Sequence, residues 1–200
     1  ILGGIPSSPK SFGVSGHVKD KDGTLAALLL AEVAAYAKSQ GKTIVELIDE
    51  NIYLDPQIGM FFNFLEPSPK YGQYEGLEGI SEKIRVLKEA LNLADQTKNG
   101  GTLILGKLPV VSTTVYRTGK YDALHNWKGY PDEGIRFYFD RSGLSHLTIR
   151  PSGTSQSFRF HVQLKADNVN KENLIEKKVE LREKTKAIIS DIRKILEVKL

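Results

Sequence analysis

The stretch that decides the fold is residues 147–164, which read LTIRPSGTSQSFRFHVQL. An apolar, β-branched run leads into its centre, and apolar residues stand at every second position from Phe158 to Leu164. Alternation with a period of two is typical of a strand with one buried face, and Pro-Ser-Gly-Thr is typical of a tight turn. The stretch therefore predicts a β-hairpin with strands near 145–149 and 157–164.

The turn of this hairpin carries groups that suit an anion. Arg150 offers a planar fork of donors that matches the oxygens of a phosphate, and Arg159 follows on the second strand. Ser152 and Thr154 add neutral donors, and Gly153 permits a positive φ that exposes backbone N–H groups. These residues predict a site for a dianion such as phosphate. A polar hairpin turn without a ligand is the alternative.

The residues around the hairpin predict an α+β unit with an antiparallel sheet. Apolar residues with a helical period indicate helices from about 80 to 94 and from about 174 to 195. Further strands are predicted near 103–106, 109–116 and 135–139. Two helices and a run of antiparallel strands form a layered unit in which both helices pack on one face of the sheet.

The N-terminal part of the chain has a different pattern. Asp22 is placed to act as the N-cap of an apolar helix over about 24–39. Thr43 and Glu46 form a capping box that starts a second helix, which is expected to run to about Ile52.

These patterns divide the chain into three segments. Residues 1–56 hold two helices and no convincing strand, so we expect them to be part of a domain rather than a whole one. Residues 57–72 are expected to form a strand and a linker, and residues 73–200 are expected to fold as a separate domain.

Composition argues against several classes of protein. The 200 residues include 40% hydrophobic residues and carry a formal net charge of +4, which is too small to indicate nucleic-acid binding. No apolar run approaches the ~18 residues that a membrane span needs, and no signal peptide pattern opens the chain. There is no cysteine, and the four histidines are scattered. We therefore expect a cytoplasmic protein without disulfides, without a zinc site and without a membrane partner.

Two motifs carry a resemblance to a known family. The segment from Arg150 to Thr154, between two strands, resembles the phosphate-binding loop of the α-D-phosphohexomutases, the phosphoglucomutase/phosphomannomutase family. Far upstream, Lys21-Asp22-Gly23 opens a long apolar helix and is similar to the segment that follows the family's sugar-binding loop. The order of the motifs fits the family's third and fourth domains. The resemblance implies that residues 1–56 are the C-terminal half of an α/β third domain and that residues 73–200 are the phosphate-binding fourth domain.

The resemblance implies an enzyme in the full-length protein. Such an isomerase interconverts hexose 1-phosphate and hexose 6-phosphate through a hexose 1,6-bisphosphate and uses Mg²⁺. This part of it would bind the non-reacting phosphate of the phosphosugar, with Lys21 in the active site and His17 near the sugar. In the family, the Mg²⁺ ligands and the phosphorylated serine lie upstream. No metal ligand is therefore expected in this chain, and its partners would be the missing N-terminal domains of the same polypeptide.

The chain also departs from the family pattern. The glutamate of the sugar-selecting loop is missing whether the loop is aligned near Gly3 or near Gly13, so the preferred hexose stays open. The run Ser155-Gln156-Ser157 stands where many members have Glu-Pro-Lys. The chain begins at Ile1, and its single methionine is Met60. We therefore expect a fragment that has no mutase activity of its own.

Two other functions are considered beside the enzyme. A non-catalytic phosphosugar-binding or interaction domain would keep the same loop without the chemistry. A nucleic-acid-binding sheet needs basic and aromatic residues that alternate on one face, and Phe158, Phe160 and His161 do not alternate with lysines in this way. Single arginines near strands, such as Arg136, are given no role.

Overall fold

The structure is a computed structural model, and it describes residues 22–66, 74–120, 122, 127–152 and 157–198. The chain separates into two compact units, one that ends at Ile58 and one that spans Gly59–Leu200.

The described part of the first unit is helical. Helix α1 spans Gly23–Ser39, helix α2 spans Ile44–Ile48, and a π-helical turn over Asp49–Tyr53 follows. Asp22 caps α1, because its Oδ1 accepts a hydrogen bond from the backbone N–H of Leu25 at 2.9 Å. The predicted start of this helix is confirmed.

Helix α2 begins at the predicted capping box. Thr43 Oγ1 accepts a hydrogen bond from Glu46 N at 3.2 Å, and Glu46 Oε2 accepts one from Thr43 N at 2.7 Å. The two residues thus satisfy each other's backbone donors at the helix start. The regular α-helix ends at Ile48, earlier than the expected end near Ile52, because the backbone widens into the π-helical turn.

Helix α1 exposes large apolar side chains. Leu28, Leu30 and Tyr36 are 59%, 55% and 58% exposed, and Ala37 is the buried residue of the helix. The helix therefore presents an extended apolar surface. No helix in the described part of the chain is long and apolar enough to cross a bilayer.

The second unit contains a five-stranded antiparallel sheet and two long helices. Its elements in chain order are β1 (Phe61–Glu66), α3 (Gly76–Lys98), β2 (Ile104–Leu105), β3 (Leu108–Pro109), β4 (Ser112–Tyr116), β5 (Gly134–Tyr138), β6 (His146–Pro151), β7 (Phe158–Lys165) and α4 (Leu174–Ile195). The strand order of the sheet is β1–β7–β6–β5–β4, and β2 pairs with β3 in a small separate hairpin. Neighbouring strands are antiparallel throughout.

The core lies between this sheet and its two helices. Helix α3 packs over β4, β5 and β6, and helix α4 packs over β7, β1 and β2. The strands contribute alternating buried side chains to this face, namely Ile135, Phe137, Leu147, Ile149, Phe160, Val162 and Leu164. The predicted α+β class, with helices packed on an antiparallel sheet, is confirmed.

Strand β1 forms one edge of this sheet. It pairs with β7, with Phe62 opposite Leu164 and Phe64 opposite Val162. The sequence pattern places this strand, within residues 57–72, in a segment between the two domains. Its partner lies far along the chain, so a local pattern predicts the strand but not the sheet that it joins.

Helix α3 buries a stripe of residues that includes a lysine. The stripe consists of Gly79, Lys83, Val86, Leu87, Ala90 and Ala94. Gly79 lies so close to the preceding chain that an added Cβ would stand 2.2 Å from the carbonyl carbon of Tyr74. Small residues in the stripe therefore let the helix approach its surroundings closely, and Lys83 lies on the core side of the helix.

Candidate anion-binding site

The predicted hairpin is formed by β6 and β7. Their register places Arg150 directly opposite Arg159, and the backbone N–H of Ser152 donates a hydrogen bond to the carbonyl of Ser157 at 2.8 Å. The two strands are thus paired up to the ends of the turn that is predicted to hold an anion.

Several predicted site residues lie outside the described residues. They are Gly153 and Thr154 in the turn, and His17 and Lys21 before α1. Arg150, Ser152 and Arg159 are the members of the predicted set whose positions the structure describes.

Arg150 and Arg159 lie on the sheet face that points away from the helices. Ile149 precedes Arg150 and is buried under the helices, and successive side chains of a strand point to opposite faces. The side chain of Arg150 is 62% exposed, and Arg159 is exposed as well. Like charges directly opposite each other destabilise a strand pair, so an anion between these guanidinium groups would stabilise the hairpin.

Glu133 is an acidic neighbour of this pair. Its Oε2 lies 3.3 Å from a terminal nitrogen of Arg150, and its side chain is 47% exposed. An ion pair between exposed groups contributes only about 0–1 kcal/mol, because water screens it and both side chains lose freedom. A doubly charged ligand can therefore compete with Glu133 for Arg150.

A glycine allows β5 to approach β6 beside Arg150. Gly134 has a φ of 116°, and a Cβ at this position would lie 2.7 Å from the carbonyl oxygen of Ile149 and 3.4 Å from the Cα of Arg150. Only a residue without a side chain fits there. The signal in the sequence is weak, since glycine also occurs in strands at bulges and bends that lie far from any ligand.

Lys83 reaches the hairpin from the helix side. Its Nζ donates a hydrogen bond to the carbonyl of Ser152 at 3.3 Å, and the residue is only 3% exposed. Burial lowers the pKa of its amine. Sequence reasoning did not find this residue, because a lysine on a helix is usually taken as part of the solvated face.

A third arginine lies on the open face of the sheet. Arg136 is the cross-strand partner of Thr148, and its Nε donates a hydrogen bond to Thr148 Oγ1 at 2.9 Å. The guanidinium carbon stands 5.5 Å from the ring centre of Tyr116 and 6.0 Å from that of Tyr138. Both distances suit cation–π attraction, so the guanidinium is held in a fixed position. The sequence pattern alone gives Arg136 no role.

Two histidines share this face with Arg136. The rings of His146 and His161 meet edge to face, with 6.3 Å between their centres. Burial, and then the positive charge of Arg136, lower the pKa of both imidazoles. Both rings are therefore neutral at neutral pH, and the arginines carry the positive charge of the face.

The described residues do not fit a metal centre. Nowhere in the described ranges do three or more histidine, cysteine, aspartate or glutamate side chains come together in a way that could hold a metal ion. Asp22, which lies in the Lys-Asp-Gly motif, uses its carboxylate as the cap of α1.

No model of a known protein family matches this chain, and no curated protein matches it either.

Proposed function

We propose that the β6–β7 hairpin binds the phosphate of a phosphosugar and that the chain is the C-terminal part of a phosphohexomutase. The observation that carries the proposal is the direct opposition of Arg150 and Arg159 at the end of the hairpin. Two guanidinium groups on neighbouring strands offer paired donors to the oxygens of one dianion. The Arg-Pro-Ser-Gly-Thr motif, with its resemblance to a phosphohexomutase loop, adds Gly153 and Thr154 to the proposed site.

The proposed role of the hairpin is to hold the phosphate that does not react. A phosphate fixed at one end of a hexose orients the sugar for phosphoryl transfer at its other end, so binding energy far from the reacting oxygen lowers the barrier there. The same site would accept either phosphate of a hexose 1,6-bisphosphate after the intermediate turns round.

The first unit fits this proposal as the end of a further domain. The exposed leucines of α1 supply a surface on which the rest of a domain would pack. In this assignment Lys21 belongs to the active site and His17 to the sugar site. The other domains of the same polypeptide would complete the enzyme, which we place in the cytoplasm. Mg²⁺ would be bound there, as the resemblance to the family implies.

A non-catalytic phosphosugar-binding domain is the second candidate. It needs the anion site alone, so the opposed arginines of the hairpin support it as directly as they support the enzyme. A phosphohexomutase requires catalytic groups in other domains, so turnover by a longer polypeptide would separate the two candidates.

The proposal is tested by titrating a hexose phosphate into the 200-residue chain in a calorimeter. Replacing Arg150 with Ala removes a charge-assisted fork of donors, which should weaken binding by about 1.5–3 kcal/mol. Arg182→Ala is a matched control, because Arg182 is an exposed arginine on α4. Equal affinity in the Arg150→Ala variant and the original chain would refute the phosphate site.

A further inference from the structure

Lys83 is a buried cation whose position calls for a negative charge. Lysine is almost never fully buried without a partner, yet Lys83 is 3% exposed. Its Nζ donates to the carbonyl of Ser152, which lies 69 residues away in the sequence. A carbonyl oxygen satisfies one donor of the ammonium group but does not neutralise its charge.

The described surroundings of Lys83 supply little negative charge. On α3 itself, Glu82 is paired with Arg85 at 2.7 Å. Among the residues that the structure describes, no carboxylate lies within ion-pairing distance of Lys83, and burial alone lowers the pKa of its amine.

The strands packed against α3 carry positive charge and no carboxylate, and the nearby acidic residues Glu133 and Glu197 already interact with Arg150 and Arg85. The strands under α3 contribute Arg136 from β5 and Arg150 from β6, both on the far face of the sheet, while β4 has no charged residue. On α4, Arg193 lies over the ring of Phe160, with 5.9 Å between the guanidinium carbon and the ring centre. A ligand is therefore the natural source of the missing negative charge.

We infer that Lys83 is a positioning residue of the proposed phosphate site. Lys83 holds the carbonyl of Ser152 from the helix side, and it places a buried positive charge under the bound anion. The inference rests on the proposed function. It gives the hairpin cations on both sides, with Arg150 and Arg159 on the open face and Lys83 on the helix face. The exposed arginines attract the ligand, and the buried lysine fixes the residue where the turn begins.

This arrangement couples anion binding to protonation of Lys83. Burial disfavours the charged amine in the free protein, and an anion close by favours it. Binding therefore raises the pKa of Lys83, so the protein takes up protons at any pH at which the amine of the free protein is partly deprotonated. A lysine that only fills space in the core would not take up a proton.

The experiment measures sulfate binding to the whole chain by calorimetry at about pH 9, in two buffers that differ in ionisation enthalpy. Sulfate is chosen because it stays a dianion throughout this range, so any proton taken up belongs to the protein. The original chain should take up protons on binding. Lys83→Met should bind sulfate about tenfold more weakly, which is the scale of losing one hydrogen bond from a charged group, and without proton uptake.

Two further variants separate charge from structure. Lys83→Arg keeps a positive charge that does not titrate, so it should recover part of the affinity but no proton uptake. Lys98→Met, which changes an exposed lysine at the end of the same helix, should behave like the original chain. If Lys83→Met fails to fold, the Lys83→Arg variant and the proton uptake of the original chain still decide.

The possible failures can be told apart. If the original chain binds sulfate through Arg150 but takes up no proton, or if Lys83→Met binds as tightly as the original, the role of Lys83 is wrong and the proposed function stands. If the original chain binds neither sulfate nor phosphate, both are wrong.

Discussion

The opposition of two arginines across β6 and β7 predicts a conflict between stability and binding. Replacing Arg159 with Gln removes one of two like charges that face each other on adjacent strands. At a charge separation of about 6 Å in a water-like dielectric, the repulsion between them is about 0.7 kcal/mol. Moderate screening by salt reduces it to about 0.5 kcal/mol. The chain without an anion should therefore become more stable when Arg159 is replaced.

The assay is thermal unfolding of the whole chain, monitored by circular dichroism, with Tm taken from the transition of the second unit. A gain of about 0.5 kcal/mol raises Tm by roughly 2 °C in a domain of this size. The gain should disappear in about 1 M NaCl, where the Debye length falls to about 3 Å. Added sulfate should make the original chain the more stable of the two, because a ligand stabilises the protein that binds it and the variant has lost one of the two guanidinium groups that hold the anion.

Arg182→Gln serves as the control, since it removes the same charge from an exposed position on α4. It should change Tm little at any salt concentration and should leave the response to sulfate intact. The reasoning would be contradicted if Arg159→Gln had a lower Tm than the original chain at low salt without sulfate, and if the difference in Tm kept the same sign when sulfate was added.

Two other predictions concern the strands that support the site. Gly134→Ala forces a side chain against the carbonyl of Ile149 at a positive φ, so we expect a loss of about 2–4 kcal/mol in chemical denaturation. Gly143→Ala is the control, because Gly143 has a φ of 76° and an added Cβ would lie no closer than 3.5 Å to a side-chain atom, so it should cost about 1 kcal/mol. Equal losses of stability in the two alanine variants would argue against the close approach of β5 and β6. Burial and the charge of Arg136 lower the pKa of His146 in the folded protein. Between this lowered pKa and the ordinary histidine value of about 6.5, the unfolded chain therefore binds more protons than the folded chain. Stability should therefore fall as pH drops through about 6.5 towards the folded pKa, and His146→Gln should weaken this dependence in unfolding curves recorded from neutral to acidic pH.

The sequence predicted the local features of the fold well. The alternation in β7, the N-cap of α1 and the capping box of α2 each depend on residues close together in the chain, and each is confirmed. The position of β1 could not be predicted in this way, because its pairing with β7 depends on residues distant in sequence. The opposition of Arg150 and Arg159 lies between these cases, since it follows from the hairpin once its register is known.

The buried side of α3 shows why part of the site was missed. The helix was predicted from the spacing of five apolar residues, of which Leu87 and Ala94 are buried and the other three, Ile80, Ile84 and Leu91, are half-buried. The helix also buries Gly79 and Ala90, because small residues permit a close approach. The buried face therefore extends further round the helix than the apolar pattern indicates, and it includes Lys83, whose ammonium group reaches Ser152. Residue type alone places a lysine on the surface, so only the packing reveals its contact with the hairpin.

The position of β7 inside the sheet has a consequence for the rate of ligand binding. This strand pairs with β1 as far as Phe160 and with β6 as far as Phe158, so the sheet holds the backbone of the strand that carries Arg159. The two ends of the turn are held by the hydrogen bond between Ser152 and Ser157. The backbone at both ends of the turn is therefore already fixed when the protein folds, and anion binding does not have to order it. We therefore expect the rate of association to be set by diffusion and by electrostatic attraction, so that it falls with added salt, while the residence time depends on the donors that surround the anion.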